Sequence, residues 1–276
     1  MKKVCFLKHF LAATILLLTS NAAQSQVNSK DTLFVPHIGQ EGKDVIWVPT
    51  PDELVAKMLE IAEVKPSDIV VDLGSGDGRT VIAAAKLGAQ AIGIEFNPDM
   101  VNLSVQNARK AGVEARTKFI CTDLFEYDLS KATVITMFLL PQINLKLRPI
   151  LLGLKPGTRI VSNTFTMDNW EPDFEVTTDD NMDSWYTALM WVVPAKVDGK
   201  WKLGNGELEI RQEFQFFYGT YTVNDKTLSV TEGRINGDLI NFRINEESYT
   251  GKVKGNTISG TVTGKSTKSD WSATLK

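Results

Sequence analysis

Apolar positions in the first two thirds of the chain fall into short continuous runs, and most runs are followed by a segment with helical spacing. Five runs are evident, at residues 69–73, 91–94, 118–121, 132–138 and 158–164. This pattern predicts buried strands that alternate with helices. A final antiparallel pair is predicted over residues 174–178 and 185–193. The sequence therefore predicts a doubly wound α/β fold with a mostly parallel seven-stranded sheet.

The pattern changes at about Lys196. Residues 200–276 show no helical periodicity, but they contain many alternating segments separated by Gly, Asn and Asp. This composition predicts a C-terminal antiparallel β meander, with tight hairpin turns at Gly237-Asp238 and Gly255-Asn256. We therefore divide the chain into a domain at 26–195 and a small β domain at 196–276.

Aromatic residues are concentrated near the start of the predicted β domain. They are Trp201, Phe214, Phe216, Phe217, Tyr218 and Tyr221. Core packing and docking onto the first domain are the commoner uses of such a cluster, and a binding face is the alternative.

The first 25 residues have the layout of a secretory signal peptide. Three lysines precede an apolar run at residues 10–18, and small or polar residues follow it. The run is short for a membrane anchor, so we expect cleavage near Gln26 and no stable membrane span afterwards. The sequence thus predicts an exported, periplasmic or secreted protein, with an uncleaved anchor as the alternative.

Charge is distributed unevenly along the chain. The formal net charge is -3, and removal of the predicted signal peptide makes it -6. Residues 26–195 hold 15 basic and 23 acidic residues, whereas residues 196–276 hold 12 and 10. An acidic first domain argues against a nucleic-acid partner and is compatible with a cationic ligand.

Metal-binding and disulfide-forming residues are scarce. After cleavage, Cys121 is the remaining cysteine and His37 the remaining histidine. We therefore expect no internal disulfide and no metal site. No feature of the sequence specifies an oligomeric state.

A glycine-rich loop follows the first predicted strand. It has Gly74, Gly76 and Gly78 at alternate positions, with Asp72 two residues before the first glycine. Such a loop before a helix lets a nucleotide-like ligand approach the backbone. Asp72 would repel a pyrophosphate but suits a cationic amino-acid end. Glu95 ends the next apolar run, where a carboxylate can accept both ribose hydroxyls. Together these features indicate S-adenosylmethionine.

These motifs carry a resemblance to a known family. Residues 48–193 resemble the class I, seven-β-strand S-adenosylmethionine-dependent methyltransferases, which have a Rossmann-like fold. The first motif is Val-Val-Asp-Leu-Gly-Ser-Gly-Asp-Gly-Arg at 70–79, and the second is Gly-Ile-Glu-Phe-Asn-Pro at 93–98. Val-Pro-Thr-Pro at 48–51, Leu-Leu-Pro at 139–141 and the stretch 165–170 are similar to the protein-lysine methyltransferases that include the ATP synthase c-subunit enzyme.

The resemblance implies a set of cofactor-binding residues. Asp123 would meet the adenine amino group, Leu124 would lie under the ring, and Pro49 and Thr50 would lie beside the cofactor. From the residues alone, Asp123 is an ordinary turn former and Thr50 is a helix N-cap. The full predicted set is Pro49, Thr50, Asp72, Gly74, Ser75, Gly76, Gly78, Glu95, Phe96, Asn97, Asp123 and Leu124.

The acceptor side of the predicted site departs from many amine methyltransferases. Those enzymes place a polar-Pro-Pro-aromatic motif after the fourth strand, whereas this chain has Phe-Leu-Leu-Pro at 138–141. We predict that Phe138 walls the acceptor channel and that Asn163 accepts a hydrogen bond from the amine.

Two functions are compatible with these features. The first is a methyltransferase that N-methylates a protein lysine or another amine, because methyl transfer needs alignment of the reactants more than an acid or a nucleophile. The second is an exported non-catalytic module that keeps the fold and binds a nucleoside or peptide. The intact cofactor positions favour the first function, and the predicted signal peptide favours the second.

Overall fold

A computed structural model describes residues 34–178 and 186–276. The predicted signal peptide lies outside these residues, as do residues 179–185, which include Trp185, the first residue of the predicted strand at 185–193. Residues 34–276 form one compact unit, and the division into two domains near residue 195 stays a prediction. Within the described ranges, none of the helices combines the length and the apolar character needed to span a membrane.

The first part of the fold is a sheet with helices on both faces. Its helices are α1 (Asp52–Ile61), α2 (Arg79–Lys86), α3 (Pro98–Lys110) and α4 (Pro141–Leu151). Its strands are β1 (Ile69–Leu73), β2 (Gln90–Glu95), β3 (Thr117–Cys121), β4 (Val134–Met137), β5 (Arg159–Asn163), β6 (Phe174–Thr177) and β7 (Thr187–Val192).

The sheet has seven strands in the order β3-β2-β1-β4-β5-β7-β6. Strands β1 to β5 pair in parallel, and β7 pairs antiparallel with both β5 and β6. Four of the five residues of β1 and all four of β4 are buried, because helices cover both faces of the sheet. The prediction of a doubly wound, mostly parallel seven-stranded sheet is confirmed.

Helix α3 begins as its sequence predicts. The Asn97 side chain accepts a hydrogen bond from the Asp99 amide at 2.9 Å, and Pro98 takes the first helical position. In α4, Pro149 lies in the last turn, so it does not interrupt the helix.

Helix α1 begins differently from the prediction. The residue before its first turn is Pro51, and no side chain caps the helix. The Thr50 hydroxyl instead accepts a hydrogen bond from the Asn163 side chain at 3.4 Å. The predicted N-cap role of Thr50 is therefore wrong, because Pro51 takes the N-cap position and the Thr50 hydroxyl is hydrogen-bonded to Asn163 on β5.

The second part of the fold is an antiparallel β structure. Its strands are β8 (Gly199–Leu203), β9 (Gly206–Glu213), β10 (Phe216–Val223), β11 (Lys226–Asn236), β12 (Leu239–Ile244), β13 (Glu247–Lys254), β14 (Thr257–Thr263) and β15 (Lys268–Leu275). The two predicted hairpin turns are confirmed, with positive φ at Gly237 and Gly255. The meander closes into a barrel, because β15 pairs with β8.

Aromatic side chains fill the barrel. Phe242 lies at the centre, with its ring 4.8 Å from Tyr249 and 5.5 Å from Trp271. Trp201 and Phe217 are buried in the same core. Two members of the predicted aromatic cluster therefore serve the barrel interior.

Another member of that cluster attaches the barrel to the sheet. Phe214 stacks on the fully buried Trp170 with ring centroids 5.9 Å apart, and the Arg148 guanidinium lies 5.6 Å from the Phe214 ring. Arg234 of β11 also forms a 2.8 Å ion pair with Asp173, next to β6. Tyr221 also packs against the barrel core, so the aromatic cluster serves mainly for packing and docking, although Phe216 and Tyr218 remain exposed.

Candidate functional site

A cavity of about 640 Å³ opens at the carboxyl ends of the parallel strands. Strand β1 lies between β2 and β4, so the strand order runs in opposite directions on the two sides of β1. Such a switch point is where doubly wound folds bind their ligands. Loops after β1, β2, β3 and β4 line the cavity, and an N-terminal arm, residues 34–50, contributes its last eleven residues.

The glycine loop after β1 is hydrogen-bonded to β2. The amides of Gly74 and Ser75 both donate to the Ile94 carbonyl, at 2.9 and 3.0 Å. Gly76 has φ of 52°, and a Cβ there would lie 2.5 Å from Trp47 Nε1. Gly76 therefore allows the close approach of the arm. Gly78 does not line the cavity, and a Cβ there would meet Phe119 at 2.9 Å, so its role is packing behind the loop.

Asp72 is a buried acid at the end of β1. Its carboxylate accepts a hydrogen bond from the Thr136 hydroxyl at 2.6 Å. Burial raises the pKa of Asp72 to about 7; the Thr136 bond opposes this rise, and the charges of Glu95 and Asp77 add to it. A cation bound beside Asp72 would restore the ionised form.

Glu95 is held at both carboxylate oxygens. One oxygen accepts from the Gly76 amide at 3.0 Å, and the other accepts from the Asn97 amide at 2.9 Å. Because each oxygen has a second lone pair, the carboxylate can still accept two hydroxyl groups. Glu95 thus joins the glycine loop to the start of α3 and keeps a fixed orientation at the cavity.

Asp123 is engaged by the N-terminal arm. Lys43 Nζ donates to its carboxylate and lies 5.0 Å from the centroid of the Phe96 ring. The hydrogen bond from Lys43 lowers the pKa of Asp123 below its ordinary value. Leu124 also lines this end of the cavity. The structure therefore brings together three predicted cofactor residues and adds a cation that the sequence did not reveal.

The N-terminal arm lies over the cavity. The Gly39 amide donates to the Trp47 carbonyl and the Trp47 amide to the Gln40 carbonyl, both at 2.9 Å. These bonds close a loop whose Lys43 and Trp47 point onto the site. The apolar run Val45-Ile46-Trp47-Val48, which includes a tryptophan, was the available signal.

Thr50 and Pro49 also line the cavity, as predicted. The Thr50 carbonyl accepts from Arg79 at 3.0 Å, which ties the arm to the start of α2. Arg79 is itself paired with Asp77 at 2.7 Å.

The two predicted acceptor-side residues have different positions. Phe138 lines the cavity. Asn163 is fully buried behind Thr50, and its side-chain Oδ1 accepts from the Thr164 hydroxyl at 2.8 Å. The geometry therefore does not support a direct hydrogen bond from Asn163 to a substrate amine.

The residues present fit S-adenosylmethionine. The Ser75 hydroxyl is buried without a hydrogen-bond partner among the described residues, so a ligand atom at the loop would satisfy it. Asp72 suits the cationic amino-acid end of the cofactor. Glu95 is placed to accept the ribose hydroxyls, and Asp123 to accept the adenine amino group. The contribution of each residue to binding stays a prediction.

Comparison with known proteins agrees with this geometry. The ANTKMT methyltransferase domain family matches residues 72–174, and an N6/N4 DNA methylase family matches residues 25–106. A protein-lysine N-methyltransferase from Saccharolobus islandicus is 42% identical over 164 residues, which are 58% of this chain and 96% of the relative. The Xenopus laevis lysine N-methyltransferase of the ATP synthase c-subunit is 38% identical over 131 residues, 46% of this chain and 56% of the relative.

A solved structure shares both sequence and fold. It is an RNA methyltransferase from Salinibacter ruber in complex with S-adenosyl-L-homocysteine, with 47% identity and a TM-score of 0.51. The likeness covers 54% of this chain and 96% of that chain.

The order of the strands, the glycine loop after β1 and Glu95 at the end of β2 together define a class I S-adenosylmethionine-dependent methyltransferase. The chain belongs to the methyltransferase family that includes the archaeal protein-lysine N-methyltransferase, and its cofactor is S-adenosylmethionine. It spans only 56% of the Xenopus relative, whereas the archaeal relative matches almost throughout.

Proposed function

We propose that this enzyme transfers a methyl group from S-adenosylmethionine to the ε-amino group of a lysine in a protein. The observation that carries the proposal is the charge of the cavity. Among the described residues, its lining has six carboxylates: Glu41, Asp44, Asp72, Asp77, Glu95 and Asp123. Its two cations, Lys43 and Arg79, are each paired with one of these acids. Such a cavity attracts a cationic side chain and disfavours phosphate.

The names of the relatives support the same acceptor. The archaeal relative is a protein-lysine N-methyltransferase, and the Xenopus relative is a lysine N-methyltransferase of the ATP synthase c-subunit. The comparisons favour an active enzyme over a non-catalytic binding module.

The cofactor, when bound, supplies an electrophilic methyl group on a sulfonium. The protein has to orient the two reactants and exclude water. Asp72, Glu95 and Asp123 would fix the cofactor at three points, and Trp47 covers the glycine loop from the solvent side. Phe138 gives the acceptor end an apolar wall that favours a neutral amine over an ammonium.

The acceptor amine has to lose a proton before its lone pair can attack. A lysine in water has a pKa of about 10.4. No histidine lines the cavity among the described residues, and Asp72, the lining acid whose pKa burial raises to about 7, is assigned to the amino-acid end of the cofactor. We therefore expect the rate to rise with pH until the bound amine is deprotonated.

The test is transfer of tritium from labelled S-adenosylmethionine into protein, RNA and lipid fractions at several pH values between 6 and 9. We expect label in protein, recovered as methyllysine after acid hydrolysis, and about a tenfold rise in initial rate per pH unit at low pH. A heat-inactivated enzyme provides the background. Label in RNA or lipid, or a flat pH profile, would contradict lysine methylation.

RNA methylation is the second candidate function. One observation favours it, since the Salinibacter ruber structure at 47% identity is an RNA methyltransferase. The acidic cavity and the net charge of residues 26–195 argue against RNA. The RNA fraction of the tritium experiment decides between the two acceptors.

We also propose that the enzyme is exported, on the strength of the signal-peptide pattern at residues 1–25. Mass spectrometry of the native protein should then show an N-terminus near Gln26. An intact Met1 on protein recovered from the cytosol would contradict export.

A further inference from the structure

The cavity has two ends that differ in chemistry. Glu95 ends β2, and Phe96 and Asp123 follow β2 and β3, on one side of β1. Phe138 follows β4 on the other side, and Phe165 lies two residues past the end of β5. Adjacent strands lie about 4.8 Å apart, so the phenylalanine end is several strand spacings from the adenine-binding groups. That end remains for the methyl acceptor once the cofactor occupies the other.

Phe138 and Phe165 form a single aromatic surface at this end. Their ring centroids are 6.0 Å apart and their planes are inclined by 21°. This separation is too small for an alkyl chain to pass between the rings. The pair therefore acts as one wall of the cavity, against which an acceptor lies.

Phe165 is placed there by an unfavourable backbone conformation. Thr164 has φ of 62°, and the Phe165 amide donates to the Asn163 carbonyl at 2.7 Å. This is a γ-turn of the positive-φ type, which is rare and strained, and a β-branched residue at its centre adds to the cost. Strain of this kind persists where the surroundings enforce it, and it is concentrated at functional sites.

Buried polar groups enforce the turn. The Phe165 carbonyl accepts from Asn144 Nδ2 at 3.1 Å and from Ser162 Oγ at 2.8 Å, and both donors are fully buried. The Thr164 amide is bound to the Thr187 carbonyl on β7 at 2.7 Å. Asn144 Oδ1 has no hydrogen-bond partner among the described residues. Leaving a buried amide oxygen without a partner costs free energy. The two hydrogen bonds that Asn144 Nδ2 donates to the carbonyls of residues 165 and 166 therefore have to offset this cost.

We propose that Phe165 is a specificity-determining residue that packs against the methylene stem of the acceptor lysine, and that Thr164 and Asn144 are positioning residues for it. This inference rests on the proposed lysine methylation. A wall made of two stacked aromatic rings suits an unbranched alkyl chain, and it also permits stacking of a nucleobase. The two acceptors differ in what they require, since an alkyl chain packs on any apolar side chain and a base needs an aromatic ring.

The experiment compares Phe165→Leu and Phe165→Ala in the full-length enzyme, with poly-L-lysine and total RNA as probes. For lysine, we expect Phe165→Leu to stay within about threefold of the parent in KM, and Phe165→Ala to raise KM for poly-L-lysine about tenfold or more. Calorimetry should give unchanged binding of S-adenosylhomocysteine in both variants. Phe174→Ala, which removes an exposed phenylalanine on β6 outside the cavity, is the matched control.

Thr164→Gly tests the positioning role separately. Glycine accepts positive φ without strain, but it also removes the hydroxyl that donates to the buried Asn163 Oδ1, so the two effects on thermal stability oppose each other. KM for poly-L-lysine should rise because Phe165 is less firmly held. A drop in stability with an unchanged KM would show that the turn is merely structural.

The outcomes separate this inference from the proposed function. Methylation of poly-L-lysine with the same KM in Phe165→Ala would overturn the inference and leave lysine methylation in place. Label in RNA, with Phe165→Leu as damaging as Phe165→Ala, would overturn both. Tight S-adenosylhomocysteine binding with no transfer to either probe would also contradict both.

Discussion

Replacing Glu95 by alanine should weaken binding of S-adenosylmethionine by roughly 10² to 10⁴. The variant removes the carboxylate expected to accept both ribose hydroxyls, and hydrogen bonds to a charged group contribute roughly 1.5–3 kcal/mol each. It also leaves the Gly76 and Asn97 amides without their acceptor, so the glycine loop loses its link to α3. Titration calorimetry with S-adenosylmethionine and S-adenosylhomocysteine measures the effect.

Two further variants make the Glu95 result specific. Glu60→Ala removes the same charge from an exposed position on α1 and should leave the dissociation constant unchanged. Glu95→Gln keeps the shape but offers one acceptor oxygen, so its affinity should fall between the parent and Glu95→Ala. An unchanged affinity in Glu95→Ala would refute the role of this residue.

Replacing Asp72 by asparagine should change how both stability and cofactor binding depend on pH. The folded-state pKa of Asp72 is raised to about 7 from an ordinary value of 3.8, chiefly by burial. Its contribution to stability is therefore full below about pH 4 and is lost as the pH rises toward 7. Between pH 5 and pH 8 the loss is roughly 3 kcal/mol. Asp72→Asn should abolish this loss, as measured by urea unfolding of the cofactor-free protein.

The same titration should appear in cofactor binding. A cationic amino-acid end favours the Asp72 carboxylate, so binding near pH 6 should release up to about one proton, and binding at pH 8 almost none. Calorimetry in two buffers of different ionisation enthalpy measures the release. Asp72→Asn should show no release and at least a tenfold weaker affinity. Proton release equal to that of the parent would assign the titration to another group.

Asp68, at the other end of the same part of the fold, provides a control of opposite sign. Burial raises its pKa, but hydrogen bonds from Thr133 and the Lys65 amide, with the charge of Arg159, outweigh burial and leave the pKa below its ordinary value. The stability that Asp68 contributes is present above about pH 4 and is lost at lower pH. Asp68→Asn should therefore destabilise the protein at pH 8, where Asp72→Asn stabilises it.

Local sequence patterns were sufficient for most of the sheet and for its glycine loop. Strands β1 to β5 follow from continuous apolar runs, and the start of α3 follows from Asn97 and Pro98, because each signal lies within the element that it specifies. The edge of the sheet at which Asp72 and Glu95 meet follows from the parallel order of the strands.

The features that the sequence did not reveal depend on distant partners. Closure of the barrel requires β8 to pair with β15, about seventy residues further along the chain. Thr50 had a favourable local role as a helix cap, yet its hydroxyl binds Asn163, 113 residues away. The contact between Lys43 and Asp123 likewise spans 80 residues. No periodicity or spacing within a short window records such contacts.

The contact of Lys43 with Asp123 has to break before the Asp123 carboxylate can bind the cofactor. The Lys43 ammonium is hydrogen-bonded to the Asp123 carboxylate, which is expected to meet the adenine amino group. The same ammonium also lies over the Phe96 ring. The binding-competent population is then the fraction in which this contact is open, and the apparent affinity is reduced by that fraction. Since salt weakens an exposed ion pair, moderate ionic strength would enlarge the open population and so favour the cofactor. The arm thus raises the cofactor concentration that is needed to fill half of the sites.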